Sequence, residues 1–185
     1  MNAAREAEGV EMQRKPSPST RLLSLAMLVA ACLWAAPVIG LEAGDVAPSF
    51  KAPKLDGSGE LSLVDLRGKV VLVDFWASWC GPCQKSMPQF DALSKEFPAD
   101  KFAVVGVNVD SDLGAAKKAL SKRPVSYTIA SDPGGKLPAR YGVKNMPTAY
   151  LLDGDGGIRY VHRGFREGDV DKLREKIKKL LAERR

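Results

Sequence analysis

The apolar positions of this chain change their spacing along its length, and each spacing predicts a different element. Leu22 to Leu41, LLSLAMLVAACLWAAPVIGL, is an unbroken run without a charge, preceded by polar residues 1–21 that carry Arg14, Lys15 and Arg21. A basic start followed by such a run reads as an export signal or a membrane anchor. At 1.5 Å per residue a helix of this length spans the ~30 Å hydrocarbon layer, and Pro37 makes its end imperfect.

Beyond Leu41 the pattern becomes that of a folded domain. Lys54 to Glu60, with Asp56-Gly57 and Gly59, reads as the turn of a hairpin between two short strands. Lys69 to Phe75, KVVLVDF, is an almost continuous apolar run, the signature of a strand buried on both faces. Met87, Phe90, Leu93 and Phe97 then recur at helical spacing, so a helix follows that strand directly. Pro88 should kink it, because proline removes a backbone bond and crowds the preceding turn. Phe102 to Val109 is a second buried strand, and Ser111-Asp112 caps a short helix running through Leu120. Tyr127 to Ala130 is a third strand, closed by the turn Asp132-Pro133-Gly134-Gly135. Thr148 to Leu152 is a fourth, turning through Gly154 to Gly157 into Ile158 to His162. Val170, Leu173, Ile177, Leu180 and Leu181 form one apolar stripe on a basic C-terminal helix. Strand–helix alternation followed by a hairpin and a helix predicts an α/β sheet flanked by helices.

Composition narrows the class without choosing a function. The 185 residues suit one domain plus an extension, with 45% hydrophobic and 27% charged residues. The net charge of +6 is spread among acids, so nucleic acid is not an expected partner, and the basic C-terminal helix reads as a solvated face. Three cysteines are too few for a disulfide-built scaffold, so the fold must rest on apolar burial.

Two of those cysteines carry the chemistry. Trp76 to Cys83, WASWCGPC, places Cys80 and Cys83 three apart across Gly81-Pro82, where the strand gives way to the helix. Unpaired N–H groups and the positive dipole end at a helix start favour thiolate over thiol. Cysteines there have pKa values lowered from ~8.5 to roughly 3.5–7.5. Cys80 is therefore the expected nucleophile, and Cys83, one turn in, the thiol that resolves a mixed disulfide. A purely structural bridge is a poor fit, because closing so short a loop removes little unfolded-state entropy. A zinc site needs about four ligands, and beyond the pair only His162 and Cys32 in the leader are on offer. A c-type haem site needs histidine after the second cysteine, where Gln84 stands. No metal and no cofactor are expected.

The stretch VDFWASWCGPC, Val73 to Cys83, resembles the active site of thioredoxins. The wider layout, with GDVAPSF near the start, a βα insertion around Val104 to Ser121 and YGVKNMPT later, is similar to exported thiol–disulfide oxidoreductases of the TlpA/ResA kind. The resemblance implies a thioredoxin fold, a central mixed sheet flanked by helices, with an N-terminal β-hairpin extension and a central βα insertion. The expected organisation is a polar basic leader (1–21), a signal peptide or membrane anchor (22–41) and a thioredoxin-like domain (42–185). Val38-Ile39-Gly40 offers a signal-peptidase site, Val29 to Cys32 resembles a lipobox with Cys32 as the lipidated residue, and Met12 competes with Met1 as the start. Each reading places the domain on the periplasmic side of a bacterial envelope.

Residue roles follow from the same resemblance. Met146-Pro147-Thr148 matches the segment whose cis-proline faces the cysteines and pairs with substrate backbone. Together with Trp79, Gly81 and Pro82 it makes the expected substrate-binding set, whereas Trp76 is expected to be packing. Asp74 occupies the buried acid position of thioredoxin, where many TlpA-like proteins carry Asn, and could take the proton of Cys83. Ser86 stands where ResA-like proteins often carry Glu.

Gly-Pro between the cysteines is the thioredoxin dipeptide, which implies a reductant. In an oxidising compartment such a protein needs electrons from across the membrane, for which the family implies a membrane thiol transporter. The expected partners are disulfide-containing envelope proteins, in cytochrome c maturation or copper-centre assembly, approached by a monomer. The rival from another class is a Cu(I)-binding metallochaperone using the two thiolates as soft ligands. A peroxiredoxin is excluded because Val73 and Ala77 occupy its Pro and Thr positions.

Overall fold

The computed structural model describes residues 40–183. The leader, the apolar run as far as Ile39, Cys32 and both candidate starts lie outside the described residues. The elements in order are β1 (Lys51–Pro53), β2 (Glu60–Ser62), a 3-10 turn (Leu63–Leu66), β3 (Val70–Trp76), α1 (Gly81–Glu96), β4 (Phe102–Asn108) and α2 (Leu113–Lys122). They continue with β5 (Thr128–Ser131), α3 (Lys136–Tyr141), β6 (Thr148–Leu152), β7 (Ile158–Arg163) and α4 (Asp169–Ala182). Among the described residues no helix is long and apolar enough to cross a membrane.

β3 is buried along its whole length because it is central in a five-stranded sheet ordered β5-β4-β3-β6-β7. Its neighbour β4 is parallel, as is β5 beyond it, while β6 runs antiparallel to β3 and β7 antiparallel to β6. Parallel strands need a crossover, and α1 and α2 supply the two. Alternate side chains of β3 enter different cores. Leu72 and Trp76 join Met87, Phe90 and Leu93 of α1 and Leu173 and Ile177 of α4, in the cluster that also holds both cysteines. Val71, Val73 and Phe75 face the other way, toward Phe50, Leu61, Leu137, Tyr141 and Tyr150. Each side chain fully buried in this way is worth about 1.5–3 kcal/mol relative to exposure.

The sheet is therefore mixed and flanked by helices, a thioredoxin fold. The β1–β2 hairpin is the N-terminal extension; the stretch expected as a βα insertion holds β4, a core strand paired with β3 along its whole length, and then α2. The hairpin segment lies over the second core, where the Tyr141 hydroxyl donates to the Pro48 carbonyl at 2.8 Å and the Tyr141 ring meets Phe50 edge-on. Helix α1 continues through Pro88, and its apolar stripe ends one residue earlier than expected, with Phe97 as the C-cap. The helix after Asp112 reaches Lys122 rather than Leu120, and the Asp112 carboxylate caps it by accepting from the Gly114 N–H at 2.8 Å. Two elements go beyond the sequence reading: the 3-10 turn and α3.

Candidate active site

The site begins where β3 stops. The Val109 N–H donates to the Trp76 carbonyl, and the Cys80 N–H to the Ala77 carbonyl, so the chain turns away from the sheet into α1. Cys80 is the N-cap of that helix, in extended conformation, and its Sγ accepts the Cys83 N–H at 3.2 Å. Pro82 sits in the first turn, where the missing N–H costs nothing because no carbonyl waits for it. No acidic residue occupies that first turn, so the positive end of the helix is left to the sulfur. Cys80 and Cys83 are joined by a disulfide, with Cα atoms 5.3 Å apart. Cys83 is fully buried and Cys80 is 5% exposed, which makes Cys80 the outer of the two. The Ser86 hydroxyl is also buried and donates to the Cys83 carbonyl at 3.0 Å.

A chain of hydrogen bonds that sequence reasoning missed holds the loop in front of α1. The buried Asp110 carboxylate accepts from the Ser78 N–H at 2.8 Å and from the Ser78 hydroxyl at 3.0 Å. The Asn108 side-chain amide donates to the same carboxylate at 2.7 Å. On the other side, the Gln84 amide donates to the Ser78 carbonyl and Arg123 donates to the Gln84 side-chain oxygen, both at 2.6 Å. The residues beside the disulfide are thus tied to the end of β4 and to the end of α2. An Asp two residues past a buried strand was the available signal.

The other expected residues are distributed around this loop. Trp79 projects into solvent, 71% exposed, immediately before Cys80, whereas Trp76 is fully buried. Thr148 pairs with Phe75 across the sheet, which sets Met146 and Pro147 beside the end of β3. The Met146–Pro147 bond is cis. Met146 packs against the cluster containing both cysteines. His162 stays apart, its Nε2 3.5 Å from the Asp169 carboxylate of α4. Among the described residues no group of three or more His, Cys, Asp or Glu is placed to hold a metal ion.

Asp74 is fully buried on the cysteine face of β3, and neither carboxyl oxygen has a hydrogen-bond partner among the described residues. Its strand neighbour is Gly106. A Cβ on Gly106 would stand 2.6 Å from Ile129 Cδ1 and 3.2 Å from both Trp76 Nε1 and the Tyr127 ring. The bare glycine lets those two aromatic rings close over the sheet beside Asp74, and Trp76 Nε1 and the Tyr127 hydroxyl are likewise unpaired. Burial pushes the Asp74 carboxyl well above the usual carboxylate range. The Tyr127 phenol is raised by burial first and by Asp74 second.

A raised pKa in the folded state makes Asp74 a pH-dependent liability. Below ~4, the unfolded value, both states keep the proton and there is no cost. As pH climbs from there toward the folded value, the unfolded chain ionises first and stability falls, by up to about 1.4 kcal/mol per pH unit. Asp74→Asn removes that loss. In urea titrations across pH 4–7, the stability advantage of the Asn variant should widen with pH. Parallel curves for the two proteins would show a carboxyl that ionises as readily folded as unfolded.

The Redoxin family matches residues 42–177. Thioredoxin-like protein YneN of Bacillus subtilis is 40% identical over 129 residues, covering 68% of this chain and 74% of that protein. Thiol-disulfide oxidoreductase ResA of Bacillus thuringiensis is 31% identical over 140 residues, 76% of this chain and 79% of that one. Among solved structures, a Chlorobium tepidum protein described as a thiol:disulfide interchange protein DsbE is similar at a TM-score of 0.73 and 43% identity, over 77% of this chain and 99% of its own. The chain belongs to the Redoxin family, as a thiol-disulfide oxidoreductase of the TlpA/ResA kind on a thioredoxin fold.

Proposed function

We propose that this oxidoreductase runs as an exported reductase of disulfides in envelope proteins. The observation that carries the reading is the seating of the pair: Cys80 outermost at the start of α1, its Sγ facing the Cys83 N–H, with Cys83 buried behind it. The basic residues and apolar run before Leu41 support export, and Gly81-Pro82 supports the reducing direction. Apocytochrome c and copper-centre assembly proteins are the substrate classes of interest, and a membrane thiol transporter is the electron donor of interest.

In the reduced enzyme the Cys80 thiolate attacks one sulfur of a substrate disulfide. A Cys80–substrate disulfide forms, and the other substrate sulfur leaves as a thiolate that takes up a proton. Cys83 then gives up its proton and attacks Cys80 Sγ, closing the Cys80–Cys83 disulfide and releasing the second substrate thiolate. Two electrons have passed from the dithiol to the substrate, and a donor dithiol must return them. Asp74, buried on the same face, is the acceptor for the Cys83 proton, and its raised pKa brings it nearer the working range. Trp79, Gly81, Pro82 and the Met146-Pro147-Thr148 segment are the residues that would receive the substrate chain, a role supported by the exposure of Trp79 beside Cys80 and by Met146 packing on the cluster that holds both cysteines.

Equilibration with dithiothreitol tests the direction. The couple should lie closer to thioredoxin, about −270 mV, than to the oxidant DsbA, about −120 mV. A value more oxidising than about −180 mV, the range of disulfide isomerases, contradicts a reductase. Cys83→Ser, which cannot resolve, should accumulate mixed disulfides with envelope proteins in cells, and capture of cytosolic proteins alone would contradict export.

The proton role of Asp74 has its own test in stopped-flow reduction of a disulfide substrate. Asp74→Asn should slow the second step roughly tenfold near neutral pH and leave the first attack nearly unchanged. Equal second-step rates at every pH would make Asp74 structural.

A further inference from the structure

Beside the redox pair the surface is concave and basic. A hollow of about 460 Å³ is bounded by Ser78 and Gln84 on one side and by Lys118, Lys122 and Arg123, at the C-terminal end of α2, on the other. Ser78 stands two residues before Cys80 and Gln84 one after Cys83, so two of the hollow's lining residues flank the redox pair. No acidic side chain lines it. Asp110 is nearest in the hydrogen-bond chain, but it is buried and its oxygens are taken by Ser78 and Asn108. Asp112 caps the opposite end of α2.

The cations at this end of α2 contrast with three on α4. Lys172, Arg174 and Lys178 of α4 each have a carboxylate partner on the protein surface. Among the described residues, Lys118, Lys122 and Arg123 enter no ion pair, and the Arg123 side chain hydrogen-bonds only the neutral Gln84. Three exposed, uncompensated positive charges facing one hollow next to a reactive sulfur make a field that a negative partner segment would complete. The hydrogen bonds from Arg123 through Gln84 to Ser78 fix the hollow relative to Cys80. An extended chain advances about 3.3 Å per residue, so a substrate joined to Cys80 reaches the hollow within a few residues of its own cysteine.

We propose that this hollow binds an acidic segment flanking the exchanging cysteine of the substrate polypeptide, which makes the end of α2 a specificity element. The proposal rests on the reading of the site as a protein-disulfide reductase and adds which disulfides it prefers.

The test uses three disulfide-linked peptides of equal length whose cysteine is flanked by Asp and Glu, by neutral residues, or by Lys. The wild-type protein at low salt should reduce the acidic peptide with a kcat/KM about fivefold above the neutral one, and the Lys peptide slowest. The gap should close in 0.5 M salt, where screening acts within about 3–5 Å. It should also close in Lys118→Ala/Lys122→Ala, two exposed positions whose side chains make no hydrogen bond or ion pair among the described residues. Fluorescence anisotropy of the acidic peptide with serine in place of its cysteine reads the hollow without any exchange, and should show salt-sensitive binding that the double substitution weakens. A wild-type gap under twofold, or one that survives the double substitution, overturns the proposal. So does an equal loss toward oxidised glutathione, which would make the hollow a site for small anionic disulfides. If no peptide is reduced while the acidic one still binds, the reductase reading falls and the hollow stands.

Discussion

The first N–H groups of a helix have no carbonyl of their own to bond, and at the start of α1 the acceptor for one of them is the sulfur of Cys80. That contact sets what the site can do. A thiolate at the same position keeps the donor and the dipole, whereas a neutral thiol uses them less, so the arrangement favours the reactive form. It exists only because β3 ends at Trp76, buried and paired on both sides, and hands the chain to α1 after one short turn. The bonds of Ser78 to Asp110 and Gln84 then hold that turn from both flanks.

The region beneath the sulfurs is built against local stability. Asp74, Trp76 and Tyr127 bring four polar atoms into an apolar cluster without partners among the described residues. Each unpaired buried polar group costs about 1–3 kcal/mol, and a well-packed apolar replacement at Asp74 would avoid part of it. Gly106 is what allows the arrangement, because any side chain there would meet both rings. A carboxyl kept away from water and from partners holds its proton to higher pH than one held in an ion pair, which moves its ionisation nearer the range where thiols exchange protons. Stability has been given up at the one place where the proposed second step needs a proton acceptor.

Most of this architecture was legible in the sequence because it is periodic. The unbroken apolar runs of β3 and β4 and the helical stripes of α1 and α4 each match one spacing, and the strand-to-helix junction at the cysteines follows from them. Helix α3 was not legible, because six residues with a proline inside, between left-handed glycines at 135 and 142, look like a continuing turn. The 3-10 turn is shorter still. At the site, the pair and the face of Asp74 could be read locally, since alternation places Asp74 with Leu72 and Trp76. The bonds joining Ser78 to Asp110 and Gln84 to Arg123 could not, because they bridge 32 and 39 residues and no spacing encodes them. The basic hollow depends on the second of these bonds, and so was hidden for the same reason.

The account stands on Cys80 being a thiolate by virtue of its place at the start of α1. The most direct measurement is the rate of Cys80 alkylation by iodoacetamide against pH in the reduced protein, with mass mapping to separate the two cysteines. The account predicts that Cys80 reacts first and that its rate rises through a midpoint below about 7.5, in the range of helix-start cysteines. A midpoint at or above ~8.5, the value of a free cysteine, or preferential labelling of Cys83, would contradict it.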